Sequence, residues 1–253
     1  MVKYFQKFLK KMGVGLVRYS TLERLHMVDE DVERLLKLML RSNQDDLNSY
    51  AQLCQDVIVL LATGFKREGF FVEFGATDGV YLSNTYLLEK DFGWKGILSE
   101  PARVWHPDLV KNRKVEIDFA CVWSENSIVT FDMVDSAELS SVSGASMKDM
   151  HKEDRRAVSS YEVEAITLDR LLERHNAPKS IDYLSIDTEG SEYEILKQFD
   201  FNKYNVSIIT VEHNFTKNRE RLFELLSSKG YLRKFESISK WDDWYFKRGV
   251  IDI

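Results

Sequence analysis

The stretch Gly69-Phe-Phe-Val-Glu-Phe-Gly-Ala-Thr-Asp-Gly79 constrains this chain more than any other. Phe70 to Phe74 is an apolar run with strand character, and it leads straight into a turn bounded by Gly75 and Gly79. Glycine adopts positive φ without a steric penalty and lets a ligand come close to the backbone. A helix is expected soon after, with its free N–H groups and positive dipole end facing back toward the turn. A second short apolar strand, Ile97 to Ser99, then ends in Glu100. Glu100 lies about 20 residues beyond Gly79, the spacing at which a nucleotide-binding βαβ unit sets a carboxylate against ribose hydroxyls. Together the two half-motifs predict a cofactor that contains a nucleoside.

The charge of the turn narrows the cofactor. Gly75-Ala76-Thr77-Asp78-Gly79 lacks the middle glycine of the dinucleotide fingerprint, which lets backbone approach a pyrophosphate. Asp78 repels a diphosphate but suits the cationic end of S-adenosylmethionine. A methyl donor is therefore favoured over a nicotinamide.

From Gly69 onward, apolar runs alternate with helical patterns, the signature of a parallel or mostly parallel sheet. Strands are expected at Phe70–Phe74, Ile97–Ser99, Val115–Val122, Val129–Val134, Glu162–Ile166, Ile181–Ile186 and Val206–Val211, with a terminal antiparallel pair at Tyr231–Glu236 and Trp244–Lys247. Helices are expected near 83–91, 105–112, 168–174, 191–198 and 216–229. The polar stretch from Ser136 to Ser160 reads as a lid or substrate loop, or as plain surface. Ahead of the sheet, residues 1–66 read as a helical extension without catalytic signatures, and 67–253 as the catalytic domain. Within the extension, Asp45 and Asp46 are placed to cap a helix through Tyr50, Leu53, Val57 and Leu60.

Of 253 residues, 44% are apolar and 30% charged, which is ordinary for one globular α/β body. A net charge of -6 argues against general nucleic-acid binding. Cys54 and Cys121 read as free buried thiols of a reducing, cytoplasmic compartment. The N-x-S/T matches at Asn205 and Asn214 are then chance, and no apolar run reaches membrane-spanning length. Residues 1–20 carry Lys3, Lys7, Lys10, Lys11 and Arg18 and no acid, with Val2, Phe5, Phe8, Leu9 and Met12 between them at helical spacing. Such a helix packs on the protein's own body or lies peripherally on an anionic membrane.

In open α/β sheets ligands sit beyond the carboxyl ends of the strands. There the chain places Asp187-Thr-Glu189-Gly190 after one apolar run and Glu212-His213-Asn214 after another. Two chemistries suit these residues. His213 acts as a general base toward a substrate hydroxyl, or Asp187, Glu212 and Asn214 hold a divalent ion such as Mg2+ that lowers the hydroxyl's pKa. For Glu189 and Glu192 the competing reading is helix capping.

Five ordered blocks then carry a resemblance: Phe71 to Gly79, Trp94-Lys-Gly-Ile-Leu-Ser-Glu-Pro101, Ile166-Thr-Leu-Asp169, Ile181 to Gly190, and Val211-Glu-His-Asn214. From residue 69 to about 248 the chain resembles FkbM-type methyltransferases. The resemblance implies a Rossmann-like class I methyltransferase sheet, mostly parallel with an antiparallel terminal strand. It also implies use of S-adenosylmethionine and transfer to a hydroxyl of a sugar, glycan or polar natural product. Glu73, Gly75 and Gly79 would shape the methionine end, with Ala76 and Asp78 in the same turn. Glu100 beside Pro101 would hold the ribose, and Asp118 would border the adenine. Asp187, Glu189, Glu212 and His213 would face the acceptor. Ser185 departs from the pattern, because many relatives carry a lysine there. Two alternatives stand beside this reading: a nicotinamide-dependent oxidoreductase, and a non-catalytic, membrane-associated domain of the same fold.

Overall fold

The computed structural model describes residues 47–143 and 157–250. The basic segment 1–20, the helical pattern at 22–41, the proposed caps Asp45 and Asp46, and the middle of the polar stretch lie outside the described residues.

A helix α1 (Gln55–Ala62) precedes a seven-stranded sheet built from β1 (Phe70–Phe74), β2 (Lys95–Ser99), β3 (Glu116–Asp118), β8 (Ser180–Ile186), β9 (Asn205–Glu212), β10 (Tyr231–Lys234) and β11 (Asp242–Lys247). Its order is β10-β11-β9-β8-β1-β2-β3. Neighbours from β3 across to β9 run parallel, whereas β11 pairs antiparallel with both β9 and β10. The expected mostly parallel sheet with an antiparallel terminus is thus present. The crossover helices are α2 (Tyr86–Phe92), α3 (His106–Asn112), α5 (Glu192–Gln198) and α6 (Asn218–Ser228), and a short α7 (Glu236–Ser239) joins β10 to β11.

The run Val115–Val122, expected as one strand, is divided. β3 ends at Asp118, and Cys121–Val122 leaves as β4 for a second sheet with β5 (Ser127–Val134), β6 (Ser141–Val142) and β7 (Ala157–Ile166). Its order is β4-β7-β5-β6. β7 is longer than expected, pairing antiparallel with β5 from Ala165 back to Ala157. It hands over to α4 (Leu168–Arg174), where Thr167 accepts from the N–H of Arg170 as a cap.

Period two sorts the core side chains of the main sheet. Phe71, Tyr183, Ile208, Trp244 and Phe246 pack with α1 and α2 on one face. Their neighbours Val72, Leu184, Ile209 and Tyr245 pack on the other with Leu171, Leu196 and Leu222 from the helices. Both layers are closed to solvent, so truncating Phe71 to alanine removes about 3–5 kcal/mol of stability.

α1 begins later than expected. Its cap residue Cys54 has φ 64°, and Leu47 to Cys54 is not helical. Asp56 explains the shape, since its carboxylate accepts from the Ser49 hydroxyl (2.6 Å) and the N–H groups of Tyr50 (3.0 Å) and Val57 (2.8 Å). The preceding segment is folded back over the helix start. Cys54 and Cys121 are both buried, and neither forms a disulfide.

Candidate active site

A cavity of about 380 Å3 opens where β1, β2, β8 and β9 end. Among the residues singled out from sequence, Glu73, Gly75, Glu100, Pro101, Asp187, Glu189, Glu212 and Asn214 line it. Ala76, Asp78, Gly79, Asp118 and His213 do not.

The glycine turn has the expected positive-φ backbone, and the packing around it also excludes side chains. Gly75 (φ 72°) and Gly79 (φ 81°) both sit in the left-handed region. A Cβ at Gly75 would lie 2.4 Å from the Asp187 carbonyl oxygen, and one at Gly79 would lie 2.5 Å from Cγ of Arg113. The missing side chains therefore let protein pack on protein, namely the β1 turn on the β8 turn and the turn on Arg113. Ala76 is a core residue, 1% exposed. The Asp78 carboxylate turns onto its own backbone, accepting from the N–H groups of Val80 (2.8 Å) and Tyr81 (2.6 Å). It shapes the turn instead of facing the cavity.

Glu73 and Glu100 are the acids at the ends of β1 and β2. Glu73 is held by the N–H of Asn84 (2.7 Å), the hydroxyls of Ser83 and Thr85, and the buried Arg113 guanidinium at 3.7 Å. Glu100 Oε2 accepts from the Thr77 N–H and Oε1 from the Ala102 N–H, each at 2.8 Å. Each Glu100 oxygen keeps further lone-pair capacity. Burial, reinforced by the negative charges of Asp187 and Glu73, raises the Glu100 carboxyl to about 7.

The Asp118 side chain does not line the cavity. Its carboxylate is occupied on the far side by the Ala120 N–H (2.8 Å), His175 Nε2 (2.9 Å) and Arg174 Nη1 (3.2 Å). These partners hold it below the usual carboxylate range against the opposing effect of burial. The cavity wall on this side comes from the second sheet, with Cys121, Phe131 and Val142, and from Trp105. Burial pushes the Cys121 thiol up to about 12. The segment Ala137 to Val142, from the stretch expected to form a substrate loop, also lines the cavity.

At the ends of β8 and β9, one carboxylate oxygen from each of Asp187, Glu189 and Glu212 lies within 4.8 Å of the others. Glu189 is left-handed (φ 57°), followed by Gly190 at φ 117°. That kink is clamped by Glu192, whose Oε1 accepts from the Thr188 N–H (3.2 Å), the Thr188 hydroxyl (3.0 Å) and the Gly190 N–H (2.9 Å). Burial and the negative charges of Asp187 and Glu189 hold the Glu212 carboxyl well above the usual range. The third neighbour expected for an ion was Asn214, which lines the same wall with its backbone at φ 42°.

His213 is placed elsewhere. Nδ1 accepts from the Phe215 N–H at 3.0 Å, and Nε2 lies 3.6 Å from Asp243, itself paired with Arg219 and Arg233. Burial lowers its pKa, against the opposing pull of the Asp243 charge. The strand alternation carries past the end of β9, so Glu212 and Asn214 meet the cavity and His213 between them does not.

Residues that sequence reasoning passed over complete the wall. Gln52 accepts from Trp241 Nε1 (3.1 Å), and both line the cavity. Asn84 lines it too, and its Oδ1 is a buried acceptor without a partner. In sequence, Ser83-Asn84-Thr85 reads as a helix cap, which conceals this position.

Against known families, the methyltransferase FkbM domain matches residues 73–249. No curated protein sequence matches the chain. Among solved structures, the precorrin-6y C5,15-methyltransferase of Geobacter metallireducens GS-15 is similar at 10% identity, over 75% of this chain and 84% of that one, with a TM-score of 0.40. The O-methyltransferase from Bacillus cereus in complex with SAH is 14% identical over 89% and 93%, with a TM-score of 0.39. The ribosomal protein L11 methylase of Lactobacillus delbrueckii subsp. bulgaricus is 9% identical over 78% and 77%, also at 0.39.

Proposed function

Because the chain belongs to the FkbM methyltransferase family, we propose that it uses S-adenosylmethionine to methylate a hydroxyl of a sugar, glycan or polar natural product. The observation that carries this reading is one cavity with two differently built walls at the same sheet edge. Glu100 stands at the end of β2 with lone pairs left over, and the carboxylates of Asp187, Glu189 and Glu212 stand at the ends of β8 and β9.

The donor set fits the group. Glu100 suits vicinal ribose hydroxyls, and the apolar wall of Trp105, Phe131 and Val142 suits a flat base. The acids around Glu73 and Asp187 favour the cationic methionine end over a diphosphate. When bound, S-adenosylmethionine supplies an electrophilic methyl group. The chain's own task is to align the acceptor oxygen and take its proton.

For that proton the carboxylates of Asp187 and Glu212 are the candidates, in place of His213, which lies outside the cavity. Carboxylate oxygens within 4.8 Å of one another repel, and a shared proton or a divalent cation would relieve that repulsion. With Asn214 beside them, Asp187, Glu189 and Glu212 offer hard oxygen ligands of the kind Mg2+ prefers. A cation there would lower the acceptor hydroxyl's pKa.

Calorimetry tests the cofactor. S-adenosylhomocysteine should bind and NAD should not, and Glu100→Ala should weaken binding by roughly 1.5–3 kcal/mol. NAD binding without adenosylhomocysteine binding would return the nicotinamide alternative to first place.

A further inference from the structure

Asn84 lines the cavity, and its Oδ1 is the one side-chain polar atom of a cavity-lining residue, among the described residues, that is buried and without a partner. A buried carbonyl oxygen without a donor is costly, and a ligand's donor relieves that cost. The rest of the residue is fixed on both sides. Its N–H donates to Glu73 Oε1 at 2.7 Å, and its Nδ2 donates to the Ser185 hydroxyl at 2.9 Å. Glu73 and Ser185 are register partners across β1 and β8. Each stands two residues before a cavity residue, Gly75 and Asp187 respectively. The amide is therefore pinned in the gap between the ends of these two strands.

The chemistry of that gap selects the donor. Asp187 at the mouth of this gap attracts a cation, while the charge of Glu73 is shared with Arg113. A carboxylate in Asn84's place would add repulsion to Glu73, whereas an amide oxygen adds an acceptor without a charge. The ribose hydroxyls belong to Glu100 at the end of β2, the next strand over. What remains on the cofactor is a charged donor at its amino-acid end.

We propose that Asn84 Oδ1 accepts a hydrogen bond from the α-amino group of the cofactor's methionine half, making Asn84 the residue that distinguishes the amino acid from a bare thioether. The inference rests on S-adenosylmethionine being the cofactor, and the test separates the two.

The full chain is titrated by calorimetry with S-adenosylhomocysteine and with its analogue carrying hydrogen in place of the amino group. Asn84→Ala should weaken adenosylhomocysteine roughly 10- to 100-fold, the scale of a hydrogen bond to a charged group. The desamino analogue should bind wild type and variant within about threefold of each other, which also shows the variant to be folded. Asn84→Asp, which keeps an oxygen but repels Glu73 and loses the donor to Ser185, should retain more adenosylhomocysteine affinity than Asn84→Ala. If Asn84→Ala does not fold, Asn84→Leu, closer in volume, takes its place in the same comparison. Equal losses for the two ligands, or no loss for either, would overturn the assignment. A loss seen equally with the desamino analogue but absent with a decarboxylated one would assign the amide to the carboxylate instead. Wild type that binds neither ligand overturns the cofactor itself, and the inference with it.

Discussion

Gln55 Nε2 donates to Asp242 Oδ2 at 2.7 Å, joining the start of α1 to the start of β11. Both residues are buried, and Asp242 is the register partner of Glu212 at the cavity. The segment ahead of the matched family region is thus bonded to the strand that supports the acidic wall. Replacing Gln55 with leucine leaves the Asp242 oxygen without its donor. The expected loss is roughly 1–3 kcal/mol, read as a lower urea midpoint with an unchanged slope. An unchanged midpoint would show that the bond carries no net stability.

Asp242 also sets a pH dependence. Burial, opposed by Gln55 and aided by Asp187, raises its carboxyl from 3.8 to about 7, and Glu100 is likewise raised to about 7. The folded chain then binds protons that the unfolded chain has already released. Their stabilising contribution is complete below about pH 4 and is lost as pH rises toward about 7. His213, held low, acts in the opposite sense near its own range. Asp242→Asn removes one raised acid while keeping an acceptor for Gln55. Relative to wild type, the variant should gain a few kcal/mol on going from about pH 5 to pH 8. Parallel pH–stability curves for the two proteins would contradict this.

The acidic wall can be probed with one reagent. Asp187→Ala and Glu212→Ala are each expected to reduce turnover by at least ~100-fold, leaving adenosylhomocysteine affinity nearly intact. If a divalent ion neutralises the cluster, EDTA abolishes turnover and added Mg2+ restores it. With a shared proton, EDTA has no effect, and activity instead follows the titration of the carboxylates. Full activity in EDTA therefore removes the cation.

His213→Ala should act mainly on stability, because the ring is packed between Phe215 and the Asp243–Arg219 pair. Turnover reduced as far as in Asp187→Ala, with an unchanged melting temperature, would restore His213 to the chemistry.

The basic segment 1–20 makes a separate prediction. Among the described residues no helix is long and apolar enough to cross a membrane. If the segment is a peripheral anchor, sedimentation with liposomes requires anionic lipid and disappears when residues 1–20 are deleted. Sedimentation that survives the deletion excludes the segment as the anchor.

Much of this was legible in the chain itself, for physical reasons that can be named. Phe71 and Val72, or Ile208 and Ile209, announce a sheet covered on both faces, because a strand sends successive side chains to opposite sides. The span from Gly79 to Glu100 marks a βαβ unit, since one crossover helix needs about that much chain. Thr167 ahead of Leu168–Arg174 is a cap that needs only local hydrogen bonding.

Direction beyond the last residue of a strand is not local. Asp118, Asp187, Glu212 and His213 follow or end apolar runs and look alike in sequence. Asp118 is taken by Arg174 and His175, more than fifty residues away along the chain. His213 falls between the cavity residues Glu212 and Asn214 and packs beside Asp243, and Glu189 is kinked under the Glu192 clamp. Asn84 carries the signature of a cap, and only the meeting of β1 with β8 leaves its oxygen without a donor. Alternation and glycine placement determined the strands and the end of the sheet where the cavity opens, because both act within a few residues. Which side chains enter the cavity was decided by the tertiary structure, because each carboxylate or ring goes to whichever distant donor, cation or empty space the completed fold sets beside it.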